Sequence, residues 1–279
     1  MPESPEVEAI ARTLRPLIAH RRIRCVHVLH AIATKPQSPA HLARIAEGQR
    51  IVTVKRLGKY LFLRLTNGIV TLHFRLDGQL LWFSNARQML EIANQLGSGV
   101  HLDVAFELDH GVLGFADRRH FGRVQAWESE EVCHALAALG VDALSRDFTS
   151  AQLAKLLTIS KRPLKDFLLD QTRVAGIGNI YSCESLWYAK LDPRRRANSL
   201  NAAEARRLHK AIVSVLARAL ECCLHPAPDF RDPQWWFQGL ERILRAYCRE
   251  GKPCRRCGNG IRRIAQGGRS TYFCAHCQE

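Results

Sequence analysis

No apolar run in these 279 residues reaches the ~18–20 needed to span a bilayer, because Arg, Lys, His or Asp interrupts every candidate. A secretory signal core is missing too: MPESPEVEAI places three acids before any basic residue. Internal repeats and low-complexity linkers are absent. Gly176-x-Gly178 lacks the preceding strand and third glycine of a dinucleotide-binding fingerprint. Acidic residues are comparatively scarce, 26 Asp+Glu against 41 Lys+Arg, for a formal charge of +15. Such a field favours polyanions, nucleic acid above all. The chain reads as a soluble, cytoplasmic protein of about two domains.

The ten cysteines lack the even spread of a disulfide framework. Cys25, Cys133, Cys183, Cys222 and Cys223 are scattered, whereas Cys254-x-x-Cys257 and Cys274-x-x-Cys277 stand sixteen residues apart. That spacing fits one structural Zn2+ held by four thiolates, with a hairpin bringing the two pairs together. Cys248 falls too early for the pattern and reads as a buried thiol.

Ser4 as N-cap and Pro5 at the first helical position open a helix over residues 4–15, with Val7, Ile10, Ala11, Leu14 and Ile18 at helical spacing and Pro16 kinking or ending it. Between about 22 and 127 the signals are those of strands: RIVTV, YLFLRLT, GIVTLHF, QLLWFS, VHLDVAFEL and GRVQAW. Asn67-Gly68 and Asp77-Gly78 mark hairpins. The alternation from Val100 to Glu107 predicts one buried and one wet face. An antiparallel sandwich or barrel follows. Beyond Glu128 the pattern turns helical; Asn201 and Glu204 resemble a capping box, ahead of an apolar stripe of Leu208, Ile212, Val215, Leu216 and Ala219. Trp236, Leu240, Ile243, Leu244 and Tyr247 also lie at helical spacing.

Taken singly, the remaining candidates have plain readings. Pro2 is a secondary amine if Met1 is removed, able to attack an electrophilic sugar carbon, but many chains begin Met-Pro. Glu3 and Glu6 suit the start of a helix. Lys59 reads as an exposed strand lysine, His73 as a strand histidine, Asn179 as a helix cap and Phe121 as core.

Together, MPESPEVE at the terminus, RLGKYLFL at 56–63, DRRHFGR at 117–123, LLDQTRVAGIGNIYSCESL at 168–186 and GRSTYFCAHCQ at 268–278 resemble the bacterial formamidopyrimidine-DNA glycosylase and endonuclease VIII group of DNA repair enzymes. The resemblance implies a multidomain α and β chain: an N-terminal antiparallel β-sandwich with an N-terminal helix (1–130), a helix–two-turn–helix DNA-binding domain (131–235) and a C-terminal region with a four-Cys zinc finger (236–279). It implies a monomer acting on double-stranded DNA that contains a damaged base or an abasic site. Pro2 corresponds to the nucleophile at C1′, Glu3 to the acid/base, Glu6 to a supporting carboxylate and Lys59 to a lysine on the phosphate beside the lesion. His73, Lys165, Asn179 and Arg269 align with phosphate-gripping positions. Leu76, Arg119 and Phe121 match the side chains that fill the void left by an extruded base.

The chain departs from the pattern in three places. The usual wedge methionine is Leu76; Asp-Pro-Arg-Arg-Phe reads Asp117-Arg118-Arg119-His120-Phe121; and the glycine-rich lesion loop is replaced by DFRDPQWWFQGLERILRAYC. Oxidised purines, oxidised pyrimidines and bulky adducts all remain open as substrates, as does a damage-binding protein without catalysis.

Overall fold

The computed structural model describes residues 2–85, 87–89, 101–225, 229–230 and 239–279. The chain forms two compact units, one built on Glu6–Ala137 with a segment from Cys223 onward, the other on Glu3–Pro5, Ala138–Cys222 and the chain from Gly239.

In the first unit, α1 (Ser4–Ile18) buries Val7, Ile10, Ala11, Leu14 and Ile18 on one stripe. The helix continues through Pro16 instead of stopping there. Proline's fixed φ suits a helix, and burial of Leu14 and Ile18 on either side outweighs the lost hydrogen bond. Two four-stranded antiparallel sheets follow. One has the order β2 (Ile51–Leu57), β3 (Tyr60–Leu65), β4 (Ile69–His73), β8 (Arg123–Trp127). The other has the order β1 (Ile23–Val28), β6 (Leu102–Leu108), β7 (Val112–Ala116), β5 (Gln79–Phe83). Val54, Leu63, Val70 and Val124 from the first sheet meet Val26, Val104, Phe106 and Phe115 from the second in one core that α1 and α2 (Pro39–Ala46) also share. This is the expected antiparallel sandwich.

Asn67-Gly68 does join β3 to β4: Leu65 N–H donates to Gly68 O at 2.9 Å, and Gly68 has φ +96°. Asp77-Gly78 does not make a hairpin. Its turn carries the chain from one sheet to the other, since β4 pairs with β3 and β8 whereas β5 pairs with β7. The predicted wet face of the 100–107 strand is also corrected. Asp103 and Ala105 are fully buried: Ala105 lies in a second apolar cluster with Leu81, Phe83, Met89, Leu102, Val112 and Ala116, and Asp103 lies against His30 and His120. Val100 lies outside the described residues. The short α3 (His134–Ala137) closes this stretch of the first unit.

The second unit holds β9 (Val141–Asp142), α4 (Ser150–Thr158), α5 (Leu164–Leu169), β10 (Val174–Ala175), α6 (Asn179–Ala189), α7 (Ala202–Leu224) and α8 (Leu240–Ile243). Asn201 and Glu204 form the expected capping box: Glu204 N–H donates to Asn201 Oδ1 at 2.9 Å, and Asn201 N–H to Glu204 Oε2 at 3.0 Å. The five stripe residues of α7 are all buried. The helix expected around 236–247 shrinks to the four residues of α8, Tyr247 lies beyond it, and Trp236 falls outside the described residues. What fixes 245–247 instead is the buried Glu184 carboxylate, which accepts from the backbone N–H groups of Arg245, Ala246 and Tyr247, each at 2.8 Å. Strands β11 (Arg262–Gln266) and β12 (Arg269–Phe273) form the C-terminal hairpin, turning at Gly267-Gly268, both at positive φ. Gly267 has φ +54°, which favours glycine, and a Cβ there would also push aside the Asp166 carboxylate, 2.5 Å away. Cys248 is exposed rather than buried, in a left-handed conformation with φ +55°.

Candidate nucleic-acid interface and catalytic site

The chain end is anchored by Glu3. Gly178 N–H donates to its Oε2 at 2.6 Å, Ile180 N–H to Oε1 at 2.8 Å and Tyr181 N–H to Oε2 at 3.4 Å. Helix α6 begins at Asn179 with a glycine before it and no cap from that residue, so its first N–H groups would otherwise be orphans. The fully buried Glu3 carboxylate supplies the cap and also meets the positive end of the helix dipole. Sequence reasoning placed Glu3 at the start of its own helix; the partner helix lies some 175 residues away along the chain. Pro2, one peptide bond earlier, is buried, as is Glu6. Cys223 Sγ lies 3.9 Å from Glu6 Oε1.

Lys59 sits in the turn between β2 and β3, largely buried. His73, at the end of β4, packs against Tyr60 in an edge-on contact with centroids 4.5 Å apart. Its Nδ1 accepts from Arg75 N–H at 3.1 Å, which leaves Nε2 to carry the proton and act as donor. Burial, followed by the nearby charges of Arg75 and Lys59, pushes the His73 pKa down to about 3. Neutral His73 is therefore a hydrogen-bond donor without charge at physiological pH. The folded state holds this proton less tightly than the unfolded chain, whose ordinary value is 6.5. This contribution to stability is thus present above 6.5 and is lost as pH falls from there toward about 3. Urea melts of His73→Gln should show a smaller drop between neutral and mildly acidic pH than the wild type.

The three wedge candidates occupy two adjoining turns of the first unit. Leu76 is 38% exposed and Phe121 46%. The Arg119 guanidinium stacks 4.8 Å from the Phe121 ring centroid and reaches Asp77 at 3.6 Å. Arg75 and His120, each beside a wedge residue, have φ of +53° and +54°. Asp117 ties the second turn by accepting from Arg119 N–H at 2.9 Å and Gly122 N–H at 2.5 Å. Phe121 is thus surface rather than core. An exposed aromatic stacked with a cation, beside an exposed leucine, suits insertion into a base stack.

In the second unit, Asn179 Nδ2 donates to Ser270 O at 3.1 Å, and Lys165 Nζ donates to the same carbonyl at 2.9 Å and to Thr271 Oγ1 at 2.6 Å. Arg269, the residue before Ser270, is exposed. Lys165, given a phosphate contact by the resemblance, is fully buried, and burial lowers its pKa. Its ammonium works as a strut that fixes the hairpin carrying Arg269.

The ligand sulfurs of Cys254, Cys257, Cys274 and Cys277 all lie within 4.8 Å of one another. With Zn–S bonds of about 2.3 Å, tetrahedral sulfurs stand roughly 3.8 Å apart, so the four residues fit a zinc ion. Trp187 Nε1–H donates to Cys254 Sγ at 3.4 Å and Asn259 Nδ2 to Cys257 Sγ at 3.5 Å, an outer layer of donors that holds the thiolates. The guanidinium of Arg256 covers the Trp187 ring at 4.1 Å. Trp187, Tyr60 and Glu184 were not singled out from sequence, and only their apolar or helical settings could have pointed to them.

Three family models match along the chain: the formamidopyrimidine-DNA glycosylase N-terminal domain over residues 1–124, its H2TH domain over 139–224, and a zinc finger found in FPG and IleRS over 251–279. A formamidopyrimidine-DNA glycosylase of Symbiobacterium thermophilum is 38% identical, covering the whole of this chain and 89% of the relative. The chain belongs to the formamidopyrimidine-DNA glycosylase family. Among solved structures, Lactococcus lactis Fpg in complex with DNA containing N7-benzyl-Fapy-dG matches with TM-score 0.87 and 27% identity over the full length of both chains. MutM (Fpg) of Thermus thermophilus matches with TM-score 0.83 and 34% identity, covering 99% of this chain and 98% of that one. This member of the family is a DNA-binding DNA repair glycosylase with a four-cysteine zinc finger. Among its described residues, no helix is long and apolar enough to cross a membrane.

Proposed function

We propose that this family member is a bifunctional DNA glycosylase and AP lyase acting on double-stranded DNA. With Met1 removed, the Pro2 amine attacks C1′ of the damaged nucleotide. The C1′–N bond to the base breaks, and the base leaves with the electron pair and takes up a proton. The C1′–O4′ bond then breaks, O4′ takes a proton, and an iminium joins Pro2 to the opened sugar until water hydrolyses it after the eliminations and frees the amine. Loss of a proton from C2′ expels the 3′-phosphate, and a second elimination expels the 5′-phosphate. The result is a one-nucleotide gap with phosphate at both ends. The observation that carries this reading is the triple hydrogen bond to Glu3, which fixes the residue directly after the nucleophile; its carboxylate is the group we assign to proton transfer. Glu6 lends a second buried carboxylate.

Lys59, His73, Asn179 and Arg269 hold phosphates, with Lys165 positioning the last two through Ser270. Leu76, Arg119 and Phe121 fill the stack. Phe121→Ala should weaken binding to an abasic-site duplex by about 1–3 kcal/mol, roughly 5- to 150-fold. Its melting temperature should stay put, because the ring is half exposed. The zinc ion folds the hairpin and leaves no open position for water.

Borohydride trapping on abasic-site DNA tests the reading. Reduction should freeze the iminium as a crosslink that mass spectrometry maps to Pro2. Protein shown to begin at Pro2 and to bind that DNA, yet giving no crosslink, would demote the chain to a damage-binding protein. Release assays on oligonucleotides bearing formamidopyrimidine, 8-oxoguanine or an oxidised pyrimidine then assign the lesion.

A further inference from the structure

Asp103 is a fully buried aspartate near the start of β6, between Leu102 and Val104, and among the described residues its Oδ2 has no hydrogen-bond partner. Its Oδ1 faces two histidines: His120 Nδ1 at 2.6 Å and His30 Nδ1 at 3.1 Å. The His101 ring also packs against His120, tilted by 48° with centroids 5.4 Å apart. His30 and His120 are open to solvent on one side, with side chains 46% and 30% exposed. The three ligand atoms of His30, Asp103 and His120 lie within 4.8 Å of one another. A neutral hydrogen-bonded histidine needs only one carboxylate oxygen; the second oxygen, buried without a partner among the described residues, is what the hydrogen-bonding leaves unexplained.

We propose that His30, Asp103 and His120 form a second metal site, distinct from the zinc finger, that takes a divalent first-row ion such as Zn2+ through two imidazoles and one carboxylate, with water completing the shell. Two imidazoles and a carboxylate are the donor types that suit zinc. Ligand atoms around a tetrahedral zinc with bonds of about 2.0–2.1 Å stand roughly 3.3 Å apart. His30 is already close to that separation from Oδ1, and His120 has to back away by well under about 1 Å, which its exposed turn allows. His30 Nδ1 is also 3.2 Å from Leu102 O, a contact that the ion would replace. Burial pushes the Asp103 carboxyl above its ordinary range, and a dication offsets that cost more fully than a hydrogen bond does.

The position gives the site a purpose. His120 lies between Arg119 and Phe121, and His101 O accepts from Asp117 N–H at 2.9 Å, so the ligand set and the wedge turn share one scaffold. A bound ion would clamp that turn at the base of the inserted side chains and add positive charge beside the DNA. His30 and His120 sit some ninety residues apart, and only the β1–β6–β7 pairing brings them together.

Metal analysis after equilibrium dialysis against micromolar Zn2+ tests the proposal. The wild type should hold about two zinc ions per chain and His30→Asn/His120→Asn about one, the zinc finger alone. Asparagine at 120 can still donate to Asp103, which protects the fold, and circular dichroism checks that it does. Hydrogen exchange at 118–122 should slow on adding Zn2+ in the wild type and not in the double variant. Saturation of the wild type at one ion, or a double variant that keeps the second, would overturn the site, leaving a histidine–aspartate hydrogen bond only. Exchange at 118–122 that ignores Zn2+ would overturn the clamp.

Discussion

Replacing Glu3 by glutamine should cut lesion excision by about 10²–10⁴-fold, the range that a positioned general acid or base contributes. The carboxylate accepts on both oxygens: Oε2 takes Gly178 and Tyr181, and Oε1 takes Ile180. Glutamine keeps one acceptor and turns an NH2 toward a backbone N–H that needs an acceptor. At least one helix donor then goes unsatisfied in a buried place, at a cost of about 1–3 kcal/mol. Both effects are expected, and they separate. Thermal melting reports the cap, whereas single-turnover excision in excess enzyme reports the chemistry. Aspartate at this position restores the charge but falls one methylene short, so it should recover little of either. If excision drops only as far as the lost stability lowers the folded fraction, Glu3 is a cap and the proton is handled elsewhere.

How legible each feature was depended on whether its cause was local. Asn67-Gly68 and the Asn201–Glu204 box act through bonds across three residues, and both stand where the sequence put them. Four cysteines in two close pairs carry their own geometry. By contrast, Pro16 is a local signal that tertiary burial overrode. Strands β1 and β7 were not singled out: IRCVHV mixes charge into a short run, and VLGFA has a glycine at its centre. That glycine is a packing requirement, since a Cβ on Gly114 would meet Leu102 Cδ1 at 2.7 Å. Asp103 looked like the wet half of an alternating strand because nothing local announces His30 and His120, which the fold brings onto it. In the site, the motif residues were readable by resemblance, but their partners were not. Glu3 meets α6, and Lys165 meets Ser270, through contacts that only the finished fold creates.

Stripping the zinc, or replacing Cys274 by serine, should reach well beyond the finger. Structural zinc contributes on the order of 10–16 kcal/mol of binding free energy in small metal-folded peptides. Here the hairpin has little else: β11 is mostly exposed, and its core is a small cluster of Trp187, Ala246, Cys254, Ile261 and Cys274. When the hairpin loosens, Ser270 O moves, and with it the shared acceptor of Lys165 and Asn179. A fully buried ammonium that loses its partners costs about 3–5 kcal/mol, so helices α5 and α6 are destabilised in turn. The expected result is a lower melting temperature and at least a roughly 100-fold loss of affinity for lesion duplex, because Arg269 is no longer presented and Asn179 is no longer held. Hydrogen exchange after chelation should rise first in β12, next at the start of α6 and around Lys165, and not in β3 or β4. Exchange confined to residues 251–279, with Lys165 and Asn179 still protected, would mean that packing of the helices alone sets those two side chains and that the ion serves only Arg269.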